Sequence, residues 1–227
     1  MKKIFKFLTK FFAMIFVALN FSSCNVAIPS STEQTKKSYN TIAELYQDAV
    51  LGETVSISAT VSIVFNNGYM LFDGTNYLGV YNSTLSELSS GQVVKVIGEY
   101  SQHHSLFQIY PTSETILDER GVDLPTAKPI DEVGINAITT AKEECGILYN
   151  MTVTVALENN DGYDNIELYM NENKVGRVHY SSHAESYNAL KVYAEARKTV
   201  NIDLVFYTYH STNGKLFMFY GNDIKEV

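Results

Sequence analysis

One pattern of local signals occurs twice in this chain, and a repeated pattern restricts the fold more than either copy would alone. Each copy opens on a capping box, Thr41-Ile42-Ala43-Glu44 or Thr140-Ala141-Lys142-Glu143, closed by Gly52 or Gly146. Alternating β-rich runs follow at 55–61 and 151–155. Each leads to a hairpin signal, Asn66-Asn67-Gly68-Tyr69 or Asn160-Asp161-Gly162-Tyr163. A strand pair then reaches Gly79-Val80-Tyr81 or Arg177-Val178-His179. Both copies end on a hairpin, 93–100 with 106–110 and 200–209 with 216–220. The last strands match closely, Leu106-Phe107-Gln108-Ile109-Tyr110 against Leu216-Phe217-Met218-Phe219-Tyr220.

Between its third and fourth strands each copy carries a helical segment. The first is short, around Leu85-Ser86-Glu87-Leu88. The second opens on Ser182-His183-Ala184-Glu185, with Tyr187, Leu190 and Ala194 at helical spacing. Prolines punctuate this plan: Pro29 stands near the N-terminus, and Pro111, Pro125 and Pro129 bracket Asp118-Glu119-Arg120-Gly121. The expected organisation is a leader at 1–23, a tether at 24–38, one folded half at 39–117, a linker at 118–129 and a second half at 130–227. Strand-strand-strand-helix-strand-strand is the order of an OB barrel. The runs Val94-Lys95-Val96-Ile97-Gly98-Glu99-Tyr100 and Tyr69 through Asp73-Gly74-Thr75 to Val80-Tyr81 resemble OB-fold domains of exported bacterial, Bacteroidetes-type lipoproteins. The expected fold class is mainly β: two small OB-fold-like five-stranded barrels in tandem, each with a short helix between strands 3 and 4. An immunoglobulin-like sandwich needs ~7 strands per domain, against five here.

The leader carries the address. Lys2, Lys3, Lys6 and Lys10 precede an apolar run from 11 to 21, then Ser22-Ser23-Cys24. This resembles a bacterial lipoprotein signal, with Phe21 where leucine is commoner. The resemblance implies cleavage before Cys24, acylation of that residue and anchorage to a membrane through the lipid. By resemblance to Gram-negative lipoproteins, Asn25 rather than Asp after the cysteine favours the outer membrane over the inner one. Two or more acyl chains hold where one would not, at ~0.8 kcal/mol per buried methylene. Lipidation of Cys24 leaves Cys145 without a disulfide partner, and its neighbours Glu143 and Glu144 raise rather than lower a thiol pKa.

Composition then narrows the ligand. Removing the leader takes Lys+Arg from 17 to 13 and leaves Asp+Glu at 25, a net charge of −12. Residues 39–117 hold seven acids and one base, Lys95; residues 130–227 hold fourteen acids and eight bases, so each half carries −6. Single-stranded nucleic acid, the familiar ligand of OB barrels, is held largely through Lys and Arg on its phosphates, so this charge argues against it. No nuclease, protease or glycosidase motif stands in the chain, and no cofactor or metal is expected. His179 and His183 do not share a helix, His103-His104 fall in a turn, and Asn159 to Asn165 lacks the spacing of a calcium loop. An enzyme would have to centre on His179, His183 and Asp164.

The aromatic residues point elsewhere. OB barrels bind around strands two and three, through stacked aromatics. If Met70, Phe72, Leu78 and Val80 face the core, alternation turns Tyr69, Asp73, Tyr77 and Tyr81 outward, with Tyr110 beside them. The corresponding set in the second half is Tyr169, Arg177 and His179. The plain reading is that tyrosine, with its high β-propensity, covers a half-buried sheet. The functional reading is a non-catalytic envelope protein that recognises a protein partner or a carbohydrate, the alternatives being a single-stranded nucleic-acid module or an accessory to a secreted hydrolase.

Overall fold

The computed structural model describes residues 36–227, apart from Ala141, Asp161, Ser181, His183, Tyr220, Asn222 and the side chains at 118, 119 and 160. The expected leader, the lipid-bearing Cys24, most of the tether and His183 therefore lie outside the described residues. The described residues fall within one compact unit.

The first half runs β1 (Lys37–Ser38), α1 (Ile42–Asp48), β2 (Thr54–Phe65), β3 (Gly68–Phe72), β4 (Tyr77–Tyr81), β5 (Gln92–His103) and β6 (Leu106–Arg120). The capping box opens α1: the Thr41 hydroxyl accepts from the Glu44 amide at 3.1 Å, and the Glu44 carboxylate accepts from the Asn40 amide at 2.9 Å. Long strands let each of β2 and β5 serve two neighbours. β2 gives residues 54–60 to β5 and 60–65 to β3, while β4 runs parallel to β6. Antiparallel pairing of β6 with β5 completes a closed five-stranded barrel. Inside it lie Val55, Ile57, Val61, Leu71, Leu78, Val80, Val94 and Ile109, with Ile42 and Leu45 of α1.

Closure needs a tight crossing of β5 and β6, and it falls on Gly98. A Cβ there would stand 2.1 Å from the Tyr110 carbonyl oxygen. The register shifts between Ile97 and Gly98, opposite Pro111. Pro111 thus lies inside β6 and not before a linker, at the kind of ladder irregularity that tolerates proline. β6 itself continues to Arg120.

The second half begins at β7 (Lys128–Pro129) and α2 (Glu132–Ala137), followed by β8 (Leu148–Asn160), β9 (Tyr163–Met170), β10 (Asn173–Val178), α3 (Ala184–Glu195), β11 (Thr199–His210), β12 (Gly214–Met218) and β13 (Lys225–Glu226). Its pairings follow the same order: β8 with β9, β9 with β10, β10 parallel to β12, β12 with β11, and β11 with β8. Short β7 lies parallel to β8 as β1 lies parallel to β2.

Two expected helices need correction. The helix that opens the second half is α2, where the Asp131 carboxylate accepts from the Gly134 amide at 2.8 Å. The Thr140 segment forms only a one-turn 3-10 helix at Lys142–Glu144, because the Glu144 carboxylate accepts from Thr139. In the first half no helix forms around 85–88. Glu114 of β6 captures that segment, accepting from the Ser83 hydroxyl at 2.8 Å and the Thr84 amide at 2.9 Å. A few residues with two leucines cannot nucleate a helix against such competition. The twelve-residue α3, burying Leu190 and Ala194, forms as expected.

The halves share a core. Ile63, Phe65, Met70, Phe72, Tyr77 and Leu106 of the first half pack in one cluster with Cys145, Val205, Phe206 and Tyr207 of the second. Phe65 meets Tyr207 edge-on, with ring centroids 5.9 Å apart. Polar ties accompany the contact: the Ser105 hydroxyl accepts from the Tyr209 amide at 2.8 Å, and Lys142 donates to the Tyr46 carbonyl at 2.8 Å. Burial pushes the Cys145 thiol up to about 11, so it fills space as an unreactive group.

Substituting Gly98→Ala sets a methyl group against β6 backbone and should cost ~1–3 kcal/mol. Urea unfolding checks this; an unchanged midpoint would contradict the role assigned to Gly98 in closing the barrel.

Candidate functional site

The site starts from strand alternation. In β3, β4 and β6 the cross-strand partners are Phe72 with Tyr77, Met70 with Gly79, Gly68 with Tyr81, and Gly79 with Gln108. Partners share a face, so these residues, with Leu106 and Tyr110, form the outer face of the barrel. Met70, Phe72, Tyr77 and Leu106 are covered by the second half. The remaining edge of this face is left facing a cleft of about 150 Å³, walled by Tyr81, His103, Gln108 and Tyr110 on one side and His179, Tyr180 and Tyr207 on the other.

The cleft has a buried floor and an open rim. Gln108 is 1% exposed and Tyr207 3%, whereas Tyr110 is 38% and Tyr180 77% exposed. Gly79 makes room for the glutamine, since a Cβ at 79 would press on the Gln108 Cβ at 3.2 Å. The Gln108 Oε1 is buried and accepts no hydrogen bond from the described residues. A buried polar atom in that state carries an open desolvation cost. Tyr81 and Tyr110 stand edge-to-face with centroids 5.8 Å apart, and His179 lies against Tyr207 at 5.2 Å and Tyr180 at 4.4 Å.

The walls carry no formal charge at neutral pH. Burial, then the neighbouring His103, His104 and His210, holds the His179 imidazole down to about 4. Burial and adjacent imidazoles also lower His103 and His104. The His104 ring stands 4.3 Å from both His103 and His210, placed there by a left-handed turn residue with φ 56°. His210 Nδ1 accepts from the Thr212 and Asn213 amides at 3.1 Å each. Among the described residues, no group of three or more His, Cys, Asp or Glu side chains is arranged to hold a metal ion.

Of the eight residues expected to bind, the cleft brings together Tyr81, Tyr110 and His179. The others go elsewhere. Tyr69 points into the barrel, its hydroxyl donating to Glu114 at 2.8 Å. The alternation is reversed in β3 because both faces of that strand are buried, so its apolar content does not tell inside from outside. Asp73 accepts from the amides of Ile42, Thr75 and Asn76 and so fixes a turn and the start of α1. Tyr77 stacks on Phe72 at 4.6 Å beneath the second half. Tyr169 donates to Glu158 under the Arg197 guanidinium. Arg177 is held by the fully buried Glu167, which Lys174 also reaches at 2.9 Å. Asp164 pairs with Lys191 at 3.2 Å. Sequence reasoning missed Gln108, Tyr180 and Tyr207, and set aside in a turn His103, which ends β5 on the cleft wall. The one legible signal was Gln108, a polar residue inside the apolar run Leu106-Phe107-Gln108-Ile109.

No family model and no curated protein matches the chain. Among solved structures, one on the molecular basis for abrogation of activation of pro-inflammatory cytokines is 15% identical, over 80% of this chain and 96% of that one, with a TM-score of 0.39. A replication protein A heterotrimer bound to single-stranded DNA is 8% identical over 84% and 69%, with a TM-score of 0.28. Neither likeness bears on what this chain does.

The depressed His179 gives a pH signature. Unfolded, the ring takes a proton near ~6.5, but folded only near about 4, so acid between these values favours the unfolded chain. The melting temperature of the parent should therefore fall more steeply from pH 6.5 to 4 than that of His179→Gln, with no such difference in slope above 6.5. Parallel curves in differential scanning calorimetry would contradict this.

Proposed function

We propose that this chain is a non-catalytic, lipid-anchored protein of the cell envelope. In this reading it is built from two OB-fold-like barrels and recognises a protein partner or a carbohydrate through the cleft at their seam. The observation that carries it is the composite lining. Three aromatic or imidazole residues expected to bind, Tyr81, Tyr110 and His179, converge from both halves on Gln108, whose buried Oε1 accepts no hydrogen bond from the described residues. A covering sheet of tyrosines, which needs no ligand, does not account for an orphan acceptor beneath them. Exposed Tyr110 and Tyr180 offer the amphipathic surface common at recognition sites. The lipid anchor rests on the lysine-rich leader and Cys24, and the anionic body on the −12 net charge.

The test is capture from envelope extracts with the full chain. Tyr110→Ala and Tyr180→Ala change rim residues outside the core, so melting temperatures should stay within ~2 °C while captured partner falls at least fivefold. Capture unaffected by both substitutions would remove the cleft from the reading. Turnover of a glycan, nucleic acid or peptide, abolished by a point substitution, would overturn its non-catalytic character. For the anchor, Cys24→Ser should shift the chain from the membrane to the soluble fraction and abolish incorporation of labelled fatty acid; retention of both would refute lipidation at that residue.

A further inference from the structure

Resting on the cleft-binding reading, we infer that the occupant is a single neutral pyranose at the end of a glycan, seated between the tyrosines and donating a hydroxyl or acetamido hydrogen to Gln108 Oε1. Four observations lead there. The first is the orphan acceptor. Gln108 is 1% exposed, its Oε1 accepts nothing from the described residues, and it stands on the floor of the cleft. A ligand that satisfies it must bring an O–H or N–H group.

The second is charge. Among the described residues, no Lys, Arg, Asp or Glu lines the cleft, and burial keeps the His179 ring neutral. An ionic group entering would shed its water without meeting an opposite charge. An anion would in addition face a body of net charge −12. Phosphorylated and uronic-acid ligands are thereby disfavoured.

The third is the shape of the walls. The Tyr81–Tyr110 edge-to-face pair stands on one side and Tyr180 on the other, with Tyr207 at the floor. A pyranose offers apolar C–H faces to aromatic rings and equatorial hydroxyls to phenolic and imidazole groups, so one ring can meet both kinds of surface at once. The fourth is size. A volume of about 150 Å³ is room for about five waters at ~30 Å³ each, enough for one ring and not for a polymer threaded through. The exposed rim of Tyr110 and Tyr180 leaves the rest of a chain in solvent.

The test is saturation-transfer NMR and tyrosine-fluorescence titration of the full chain in detergent. The absence of tryptophan leaves the 16 tyrosines to report on the cleft. Probes are galactose, mannose, N-acetylglucosamine, N-acetylgalactosamine, and glucuronate as the anionic control. At least one neutral sugar should saturate in the millimolar range with transfer to its ring protons, and glucuronate should bind at least tenfold more weakly. Gln108→Leu, which keeps the volume and removes the acceptor, should weaken the best sugar at least tenfold. Tyr180→Ala, outside the core, should weaken it at least fivefold without changing the melting temperature. If hydroxyl and acetamido sugars bind alike, a ring hydroxyl is the donor; if only the acetamido sugars bind, the amide N–H is. Either result supports the inference. No binding by any neutral sugar, equal binding of glucuronate, or binding unmoved by both substitutions overturns it. Should all sugars fail while envelope capture is still lost in Tyr110→Ala, the cleft recognises protein: the carbohydrate inference falls and the cleft-binding reading stands. Failure of both experiments removes both.

Discussion

The arrangement depends on one act of burial: the outer face of β3, β4 and β6 is covered by the second half of the same chain. A small β-barrel has two apolar demands, an interior to fill and an outer face that water can reach. Here Val55, Leu71, Val80 and Ile109 meet the first, while Met70, Phe72, Tyr77 and Leu106 leave the second unmet until Tyr207 and its neighbours arrive. Neither half is then a bead on a string. A barrel of ~80 residues gains only a modest core by itself, and the shared cluster enlarges it without lengthening any strand.

The cleft is a by-product of the same contact. The second half covers the apolar part of the face and stops short of Gln108, Tyr81 and Tyr110, so the polar remainder becomes a recess rather than open surface. Recession then sets the chemistry. It buries Gln108, keeps His179 neutral and presents tyrosine rings from two directions. Each of these properties follows from proximity between residues distant in sequence.

Much of the β architecture was legible from alternation, hairpin glycines and the repeated order of signals, all of which act over a few residues. α1 likewise announced itself through its capping box and α3 through the helical spacing of Leu190 and Ala194. Two of the three failures share a physical cause. Glu114 melts the expected turn of helix around Leu85, Asp131 and not Thr140 caps the helix of the second half, and β3 is apolar on both faces because a partner sheet arrives from outside. Glu114 and the covering sheet are long-range competitors that no local window contains, whereas Asp131 is a local cap, three residues from the Gly134 amide it accepts from. The site was legible in part: Tyr81 and Tyr110 lie in strands that alternation can place and His179 directly follows one, but Asp73, Tyr169 and Arg177 were claimed by structural partners. Tyr207 could not be found, being on a strand whose apolar content gives no hint of a recess.

The duplication is unequal in one respect. At the place in β10 that corresponds to Gly79 in β4, judged by the matching runs Gly79-Val80-Tyr81 and Arg177-Val178-His179, the second half carries Arg177. That arginine is tied to a buried Glu167, with Lys174 completing a trio of charges on the outer side of the sheet. A further copy of the module docking there as the second docks on the first would have to strip those ions of their partners and water. The two halves are therefore not interchangeable: the outer face of the first is apolar and covered, whereas the corresponding face of the second is held by ions that apolar contact would strand.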